Sequence, residues 1–297
     1  MTALFHFGTL ARGHVESMKA AMRCPLALLA LLLPTAADAV TRGQVTRDPN
    51  GVRSSVVRVE SSRGELCSGA VIAPDLVLTA AHCVIDRAHY RIVAVDRAFR
   101  PRTIRAVAAA MHPAFVAGTT PRTQPGVDLA ILKLERPLGP DFVPLDPRFA
   151  GRVVEGQPVD IAGFGVSGEG RKGTARILRQ ARLVSLGPLQ VANRVVVVAD
   201  EERRAVLPGA GACRGDSGGP ILTGGPGGYQ LLGIVSWSSG ALRSLDGSAC
   251  GGLTAVTPVA EHAGWIAARA EDLRRLAPGQ ATAAPRAPAS PFDWMTR

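Results

Sequence analysis

Three short strings of the sequence contain residue types that can do acid–base and nucleophilic chemistry. They are TAAHC at residues 79–83, DLAILKL at residues 128–134 and GDSGGP at residues 215–220. A serine hydroxyl is a weak nucleophile at neutral pH and needs a base within hydrogen-bond reach. Histidine suits that task because it titrates near neutrality, and a carboxylate can orient its ring. Each string alone is also typical of a strand start or a loop, but together they predict a nucleophilic serine with its base.

The segments that must position these strings are short runs of apolar and β-branched residues between about residues 56 and 257. Gly, Pro and Asp separate the runs, a pattern typical of a β-sandwich or of β-barrels. The runs do not alternate with amphipathic helices, which argues against an α/β sheet. The Gly- and Pro-rich residues 138–156 are the best boundary between two β halves.

One long helix is expected near the end of the chain. Pro258 precedes it, and residues 259–276 carry apolar side chains at helical spacing. We expect Trp265 to anchor this helix on the second β half. From residue 277 onwards Ala and Pro predominate, which predicts an exposed tail.

The N-terminus has the pattern of a secretory signal peptide. Basic residues precede an apolar run at residues 26–33, and an A-x-A cleavage pattern ends at Ala39. Removal of residues 1–39 would leave a chain that begins at Val40 and is secreted or periplasmic. The apolar run is too short for a membrane anchor, so none is expected.

Cysteine count and charge narrow the function classes further. Four of the five cysteines remain after the predicted cut, and an even number in an exported chain favours two disulfides. A zinc site is disfavoured because the sequence has neither a C-x-x-C pair nor an H-E-x-x-H string. The formal net charge is +10, but the basic residues are scattered, so no nucleic-acid partner is expected. We expect a monomer that needs no metal and no cofactor.

Taken together, the three strings resemble those of the trypsin/chymotrypsin family of serine proteases, whose histidine, aspartate and serine occur in the same order. The similarity covers about residues 40–270, and we expect an exported bacterial member. The resemblance implies an all-β fold of two packed antiparallel β-barrels with a C-terminal α-helix. The barrels would occupy roughly residues 40–150 and 151–258, the helix would start at residue 259, and residues 271–297 would be its end and the tail.

The same resemblance implies a serine endopeptidase that acts on polypeptides. Ser217 would be the nucleophile, His82 its base and Asp128 the carboxylate that orients the imidazole. Backbone N–H groups of Gly215 and Ser217 would form the oxyanion hole, which stabilises the charge of the tetrahedral intermediate.

Two further features of the family would complete the site. The amine of Val40, freed by signal cleavage, would fold inward and pair with the buried carboxylate of Asp216. One disulfide would hold the segment that carries His82, and a second would cross the specificity pocket. The pairs concerned are Cys67 with Cys83 and Cys213 with Cys250.

Substrate preference is predicted from the base of the specificity pocket. Trypsin-like members carry an Asp six residues before the nucleophile, where this chain has Gly211. Without that carboxylate an Arg or Lys side chain has no charge partner, so apolar or small residues should be preferred. Asp246, in an unusual insertion at residues 239–249, is the one residue that could restore basic specificity. The residues expected to contact substrate, partly as a strand that pairs with its backbone, are Gly211, Ser236, Trp237 and Ser238.

Two other function classes stay open. A protease-fold protein can bind a partner without catalysis, although such proteins usually lack one of the three catalytic residues. The GDSGG string also matches the G-x-S-x-G nucleophile elbow of an α/β-hydrolase esterase, with Asp246 and His262 following it. That elbow needs a strand before the serine and a helix after it, whereas here Pro220 leads into a strand-like run.

Overall fold

The computed structural model describes most of the chain, namely residues 40–86, 88–171, 173–225, 228–244 and 247–276. The predicted signal segment, the tail from residue 277 and Asp246 lie outside the described residues. Two closed β-barrels and a C-terminal helix are present, which confirms the fold class expected from the resemblance.

The first barrel forms from runs rich in Val, Ile, Leu and Ala, whose side chains fill its interior. After a short strand β1 (Gln44–Val45), its strands are β2 (Val56–Ser61), β3 (Leu66–Ala73), β4 (Leu76–Thr79), β5 (Tyr90–Val95), β6 (Pro101–Met111) and β7 (Ala130–Leu134). They close in the antiparallel order β2-β3-β4-β7-β6-β5. Leu78, Ile92, Ile104 and Leu132 are fully buried inside.

The second barrel has the same strand number and also closes on itself. Its strands are β8 (Pro158–Gly163), β9 (Arg179–Gln190), β10 (Arg194–Ala199), β11 (Pro220–Gly225), β12 (Gly228–Ser238) and β13 (Thr254–Pro258). The order is β9-β10-β13-β12-β11-β8, and β8 pairs back with β9. Strand β1 adds to β9 in the register Gln44 to Gln180, so the first described residues lie on the second barrel and not on the first.

The barrels are joined beside the serine string by Ser68, which is fully buried in β3. Its backbone N–H donates to the carbonyl oxygen of Ser217 at 2.8 Å, and its hydroxyl donates to that of Gly215 at 2.8 Å. The same hydroxyl accepts the N–H of Phe164 at 2.9 Å. These bonds fix the serine string of the second barrel against a strand of the first.

The C-terminal α-helix, α1 (Ala263–Arg274), begins four residues after the predicted start because Ala260–His262 form a 3-10 turn. Ile266, Ala270 and Leu273 are buried on the face that packs against β6 and β7. The Trp265 ring lies 4.8 Å from that of His112, next to the end of β6. The expectation that Trp265 anchors the helix on the second barrel was therefore wrong. Within the described residues, no helix is both long and apolar enough to cross a bilayer.

Candidate active site

The histidine and aspartate strings meet because the strands that carry them are neighbours. His82 lies in the 3-10 turn after β4, Asp128 precedes β7, and Thr79 of β4 pairs with Ala130 of β7. Nδ1 of His82 lies 2.8 Å from Oδ2 of Asp128, and the backbone N–H of His82 donates to Oδ1 at 3.0 Å. Since a carboxylate only accepts, Nδ1 carries the proton and Nε2 is the basic nitrogen of the ring.

Asp128 has a third donor that sequence reasoning missed. The Ser236 hydroxyl donates to Oδ2 of Asp128 at 2.5 Å, and both side chains are buried. Burial alone would raise the pKa of Asp128, but the charge of His82 and the hydrogen bonds from His82 and Ser236 outweigh it and hold the pKa below its usual range. Ser236 was expected to contact substrate as part of a strand that pairs with its backbone, and that expectation stays a prediction; the side chain has the further role of holding the carboxylate. The sequence carries no local signal for a contact between residues 108 positions apart.

The serine string forms a tight turn that depends on glycine at two positions. Gly215 has a φ of +95° and Gly218 a φ of +80°. Residues that carry a Cβ rarely adopt such positive φ values. A Cβ on Gly218 would lie 2.1 Å from the Thr79 hydroxyl and 2.3 Å from the carbonyl oxygen of Ser68. The turn can therefore approach the first barrel closely only because these residues have no side chain.

Some backbone N–H groups of this turn are hydrogen-bonded within the fold, and two have no acceptor in the part of the chain that the structure describes. The N–H groups of Asp216, Gly218 and Gly219 donate to the carbonyl oxygens of Cys213, Val235 and Asp216 respectively. Those of Gly215 and Ser217 have no acceptor among the described residues. The two N–H groups predicted to stabilise an oxyanion are thus the ones that the fold leaves available.

The disulfide between Cys67 and Cys83 links the histidine turn to strand β3, beside the serine turn. The Cys83 sulfur lies 3.7 Å from Nε2 of His82 and 3.8 Å from the carbonyl oxygen of Ser217. The Ser217 hydroxyl makes no hydrogen bond to His82 within the described residues. In unliganded sites such bonds are often long and tighten only when substrate binds.

Cys67, His82 and Cys83 bring potential metal-ligand atoms within 4.8 Å of one another. Both sulfurs belong to the disulfide, however, and metals are bound by thiolates. The cluster therefore offers one ready metal ligand, the imidazole of His82, which is too few to hold zinc. The second disulfide joins Cys213 and Cys250, so both predicted pairings are present.

Asp216, next to the serine, is fully buried, and its carboxylate accepts N–H groups of Gly165 at 2.8 Å and Cys213 at 2.9 Å. Burial raises the pKa of Asp216 to about 7, although these hydrogen bonds and the charge of Arg179 act against the rise. Arg179 is itself only 1% exposed. It lies on β9 directly opposite Gly163, whose Cα adjoins the Asp216 carboxylate.

Val40, the predicted mature N-terminus, is fully buried in the second barrel, in the same apolar cluster as Ile161 and Ala212. Its φ is +46°, which a β-branched residue rarely adopts. That torsion is defined by the peptide bond to residue 39, so cleavage of this bond would remove the constraint. Thr41 forms an isolated bridge with Gly211, close to the serine string.

Comparison with known proteins agrees with this geometry, since residues 42–266 match the family described as Trypsin. The chain belongs to the trypsin family. Among its relatives are the Suppressor of tumorigenicity 14 protein homolog of Bos taurus, 27% identical over 218 residues, and Protein masquerade of Drosophila melanogaster, 29% identical over 213 residues. These matches cover 61% and 63% of this chain but only 23% and 20% of the relatives, so the chain spans less than a quarter of their length. Both are animal proteins, and they do not support the expected bacterial origin.

Two solved structures show the same fold. Human heparin binding protein superposes with a TM-score of 0.59 at 21% identity, covering 80% of this chain and 99% of that protein. Neuropsin, a serine protease expressed in mouse brain, gives a TM-score of 0.60 at 21% identity, covering 77% of this chain and 99% of that protein. Likeness at this level of identity shows the two-barrel architecture.

Gly211, which the sequence predicts at the base of the specificity pocket, has small neighbours. A Cβ on Gly211 would contact Gly251, Gly252 and the Thr254 hydroxyl, each at 3.4 Å. The Cys213–Cys250 disulfide joins the segment that carries Gly211 to the segment that carries Gly251 and Gly252. Part of the insertion, including Asp246, lies outside the described residues.

Trp237 and Ser238, the other residues expected to contact substrate, lie at the end of β12 and are half-buried. The Trp237 ring packs at the edge of a small cluster on the second barrel. Arg122, from the loop before Asp128, donates to the carbonyl oxygen of Ser238 at 3.0 Å. This arginine was not identified from the sequence, because nothing near it indicates a contact with a strand of the other barrel.

Proposed function

We propose that this protein is a serine endopeptidase that hydrolyses peptide bonds through an acyl-enzyme on Ser217. The observation that carries the proposal is the Asp128–His82 hydrogen bond, formed beside a turn whose Gly215 and Ser217 N–H groups have no acceptor among the described residues. An orienting carboxylate, a base with a free nitrogen and a pair of open donors are the parts that acyl transfer requires.

In the first step the Ser217 hydroxyl attacks the scissile carbonyl carbon as its proton passes to Nε2 of His82. Asp128, anionic at neutral pH, stabilises the imidazolium that forms and keeps the ring in its tautomer. The oxyanion of the tetrahedral intermediate accepts hydrogen bonds from the N–H groups of Gly215 and Ser217. Collapse breaks the carbon–nitrogen bond, and Nε2 returns the proton to the leaving amine.

In the second step the acyl group on Ser217 is hydrolysed. Water attacks the ester carbonyl and gives its proton to Nε2 of His82, and the same donors stabilise the second oxyanion. Collapse releases the carboxylic acid and regenerates the Ser217 hydroxyl. The Ser236 hydroxyl supports both steps because it holds Asp128 in place from the second barrel.

Preference for apolar or small residues before the scissile bond follows from the pocket. The pocket wall has Gly211 where a carboxylate would pair with Arg or Lys, and burying an unpaired cation is costly. We also propose that the protein is exported, since its two disulfides are typical of an oxidising compartment. Cleavage after residue 39 would free the Val40 amine, which would add a positive partner for buried Asp216 to the charge of Arg179.

Hydrolysis of a panel of chromogenic peptides tests the proposal. We expect faster turnover when Phe, Leu or Ala precedes the scissile bond than when Arg does, and no turnover with the Ser217→Ala variant. If the folded chain that begins at Val40 hydrolyses none of the peptides, the peptidase proposal fails and the binding class is favoured. Faster turnover with Arg would instead overturn the assigned preference.

A further inference from the structure

The position of Arg122 places a positive charge on the surface where substrate is proposed to bind. Besides its 3.0 Å hydrogen bond to the carbonyl oxygen of Ser238, its guanidinium carbon lies 5.4 Å from the centroid of the Trp237 ring. Among the described residues no carboxylate forms an ion pair with it. Within the part of the chain that the structure describes, its charge therefore contacts a carbonyl oxygen and an aromatic face.

Two buried side chains, Gln124 and Asn193, hold the loop that carries Arg122. Gln124, 1% exposed, accepts the N–H groups of Val116 and Gly126 and donates to the Val116 carbonyl oxygen. Asn193 of the second barrel donates to the carbonyl oxygen of Gly126 at 2.6 Å. The loop is thus fixed across the boundary between the barrels, and Arg122 is presented from a defined backbone.

The strand edge that Arg122 reaches is open to another strand. The N–H of Ser239 donates to the Leu253 carbonyl oxygen next to β13, so the backbone groups of Ser238 point the other way. On that side β11 pairs with β12 only as far as Ile234. The backbone groups of Ser238 are therefore open to a substrate segment, and one of the segment's N–H groups would replace Arg122 at the Ser238 carbonyl oxygen.

The direction of such a substrate segment follows from the site. An antiparallel partner of β12 runs from Ser238 towards Ser236, and Ser236 contacts Asp128 of the proposed catalytic site. Residues that lie beside Ser238 are therefore N-terminal to the scissile bond. With a strand rise of about 3.3 Å per residue, they lie roughly two to four positions before it.

We propose that Arg122 is a specificity-determining residue that selects peptides with an acidic side chain in this N-terminal segment. The inference rests on the proposed function and names its substrate class. When the substrate backbone takes the Ser238 carbonyl oxygen, the guanidinium is released from that bond and pairs with the substrate carboxylate above the Trp237 ring. A bidentate pair of this kind suits Arg better than Lys.

Matched peptides test the proposal directly. Chromogenic tetrapeptides with Leu before the scissile bond would carry Glu, Gln or Lys at the second, third or fourth position before it. For an exposed ion pair we expect kcat/KM roughly 5-fold higher with Glu than with Gln at the preferred position. Arg122→Gln should remove this ratio, and Arg122→Glu should invert it in favour of Lys. The control Arg269→Gln on α1 removes the same charge far along the chain and should keep the wild-type ratio.

The ratio compares two peptides with one enzyme, so a general loss of activity cancels. A Glu to Gln ratio near one in the wild type, or an unchanged ratio in Arg122→Glu, would overturn the role of Arg122 while leaving peptidase activity established. Calorimetric binding of the same peptides to Ser217→Ala needs no catalysis. If no peptide is hydrolysed but Glu peptides bind Ser217→Ala more tightly than Gln peptides do, the proposed function fails and the Arg122 proposal stands. Equal binding of Glu and Gln peptides would refute the Arg122 proposal.

Discussion

The buried carboxylate of Asp216 should make the uncleaved chain less stable at neutral pH than at acidic pH. In the folded chain its pKa is raised by burial from the ordinary value of 3.8 to about 7. The folded state therefore holds this proton to a higher pH than the unfolded state does. By linkage the free energy of unfolding falls by about 4 kcal/mol at most as the pH rises from about 4 to about 7. Above that pH it levels off.

The test needs two chains that differ only at this group. Both would retain residues before Val40 and carry Ser217→Ala to prevent self-cleavage, and one would also carry Asp216→Asn. The amide that Asp216→Asn introduces does not titrate. Any change in the free energy of unfolding that it causes through the Gly165 and Cys213 N–H groups is therefore the same at every pH. Urea unfolding between pH 4.5 and 8 should show the Asp216 chain losing a few kcal/mol relative to the Asp216→Asn chain.

A matched chain that begins at Val40 completes the design. Its free ammonium should pair with Asp216, and an ion pair favours the ionised carboxylate. Most of the loss in the free energy of unfolding between pH 4.5 and 7, relative to the Asp216→Asn chain, should therefore disappear. If the difference between the Asp216 and Asp216→Asn chains is constant with pH in the uncleaved form, the raised pKa is refuted. An undiminished loss in the chain that begins at Val40 would refute the pairing.

Four further changes have defined outcomes. Ser236→Ala removes a hydrogen bond to the buried Asp128 carboxylate, so kcat/KM should fall about 10-fold or more, and unchanged steady-state kinetics would contradict its positioning role. Gly218→Ala places a Cβ 2.1 Å from a hydroxyl oxygen at a φ of +80° and should lower the free energy of unfolding by more than about 2 kcal/mol. Gly264→Ala, where a Cβ meets nothing within 4 Å, should instead raise it by up to about 1 kcal/mol in the same denaturation assay. Gly211→Asp should shift turnover of paired chromogenic peptides towards Arg over Leu, and an unchanged ratio would show that Gly211 does not border the pocket.

The sequence predicted the parts of the site whose functional groups lie in short, recognisable strings of residues. The strings around His82, Asp128 and Ser217 identified the groups that the fold brings to the boundary of the barrels, and both cysteine pairings were confirmed. The backbone at residue 215 was expected to need the conformational freedom of glycine, and its φ is +95°. The three strings and Gly215 depend on a few neighbouring residues, whereas the cysteine pairings, 16 and 37 positions apart, followed from the family resemblance.

What sequence could not predict are contacts between segments far apart in the chain. The apolar stripe of α1 indicates that one helix face is buried, but not that it packs on the first barrel. The Ser236 hydroxyl and Arg122 each reach a partner on the other barrel, and a lone serine or arginine in a sequence is typical of many surfaces. Strand β1 is only two residues long, which is too short for any periodic pattern.

Covalent labelling with a fluorophosphonate probe tests the central claim most directly. The probe phosphonylates a serine only when that hydroxyl is activated, so it reports the working arrangement of Ser217 and His82 without any assumption about substrate. In the folded chain that begins at Val40 we predict one adduct, mapped by mass spectrometry to Ser217, with none in Ser217→Ala and much slower labelling in His82→Ala. A folded wild-type chain that gives no adduct, or an adduct on another residue, would contradict the proposed catalytic site.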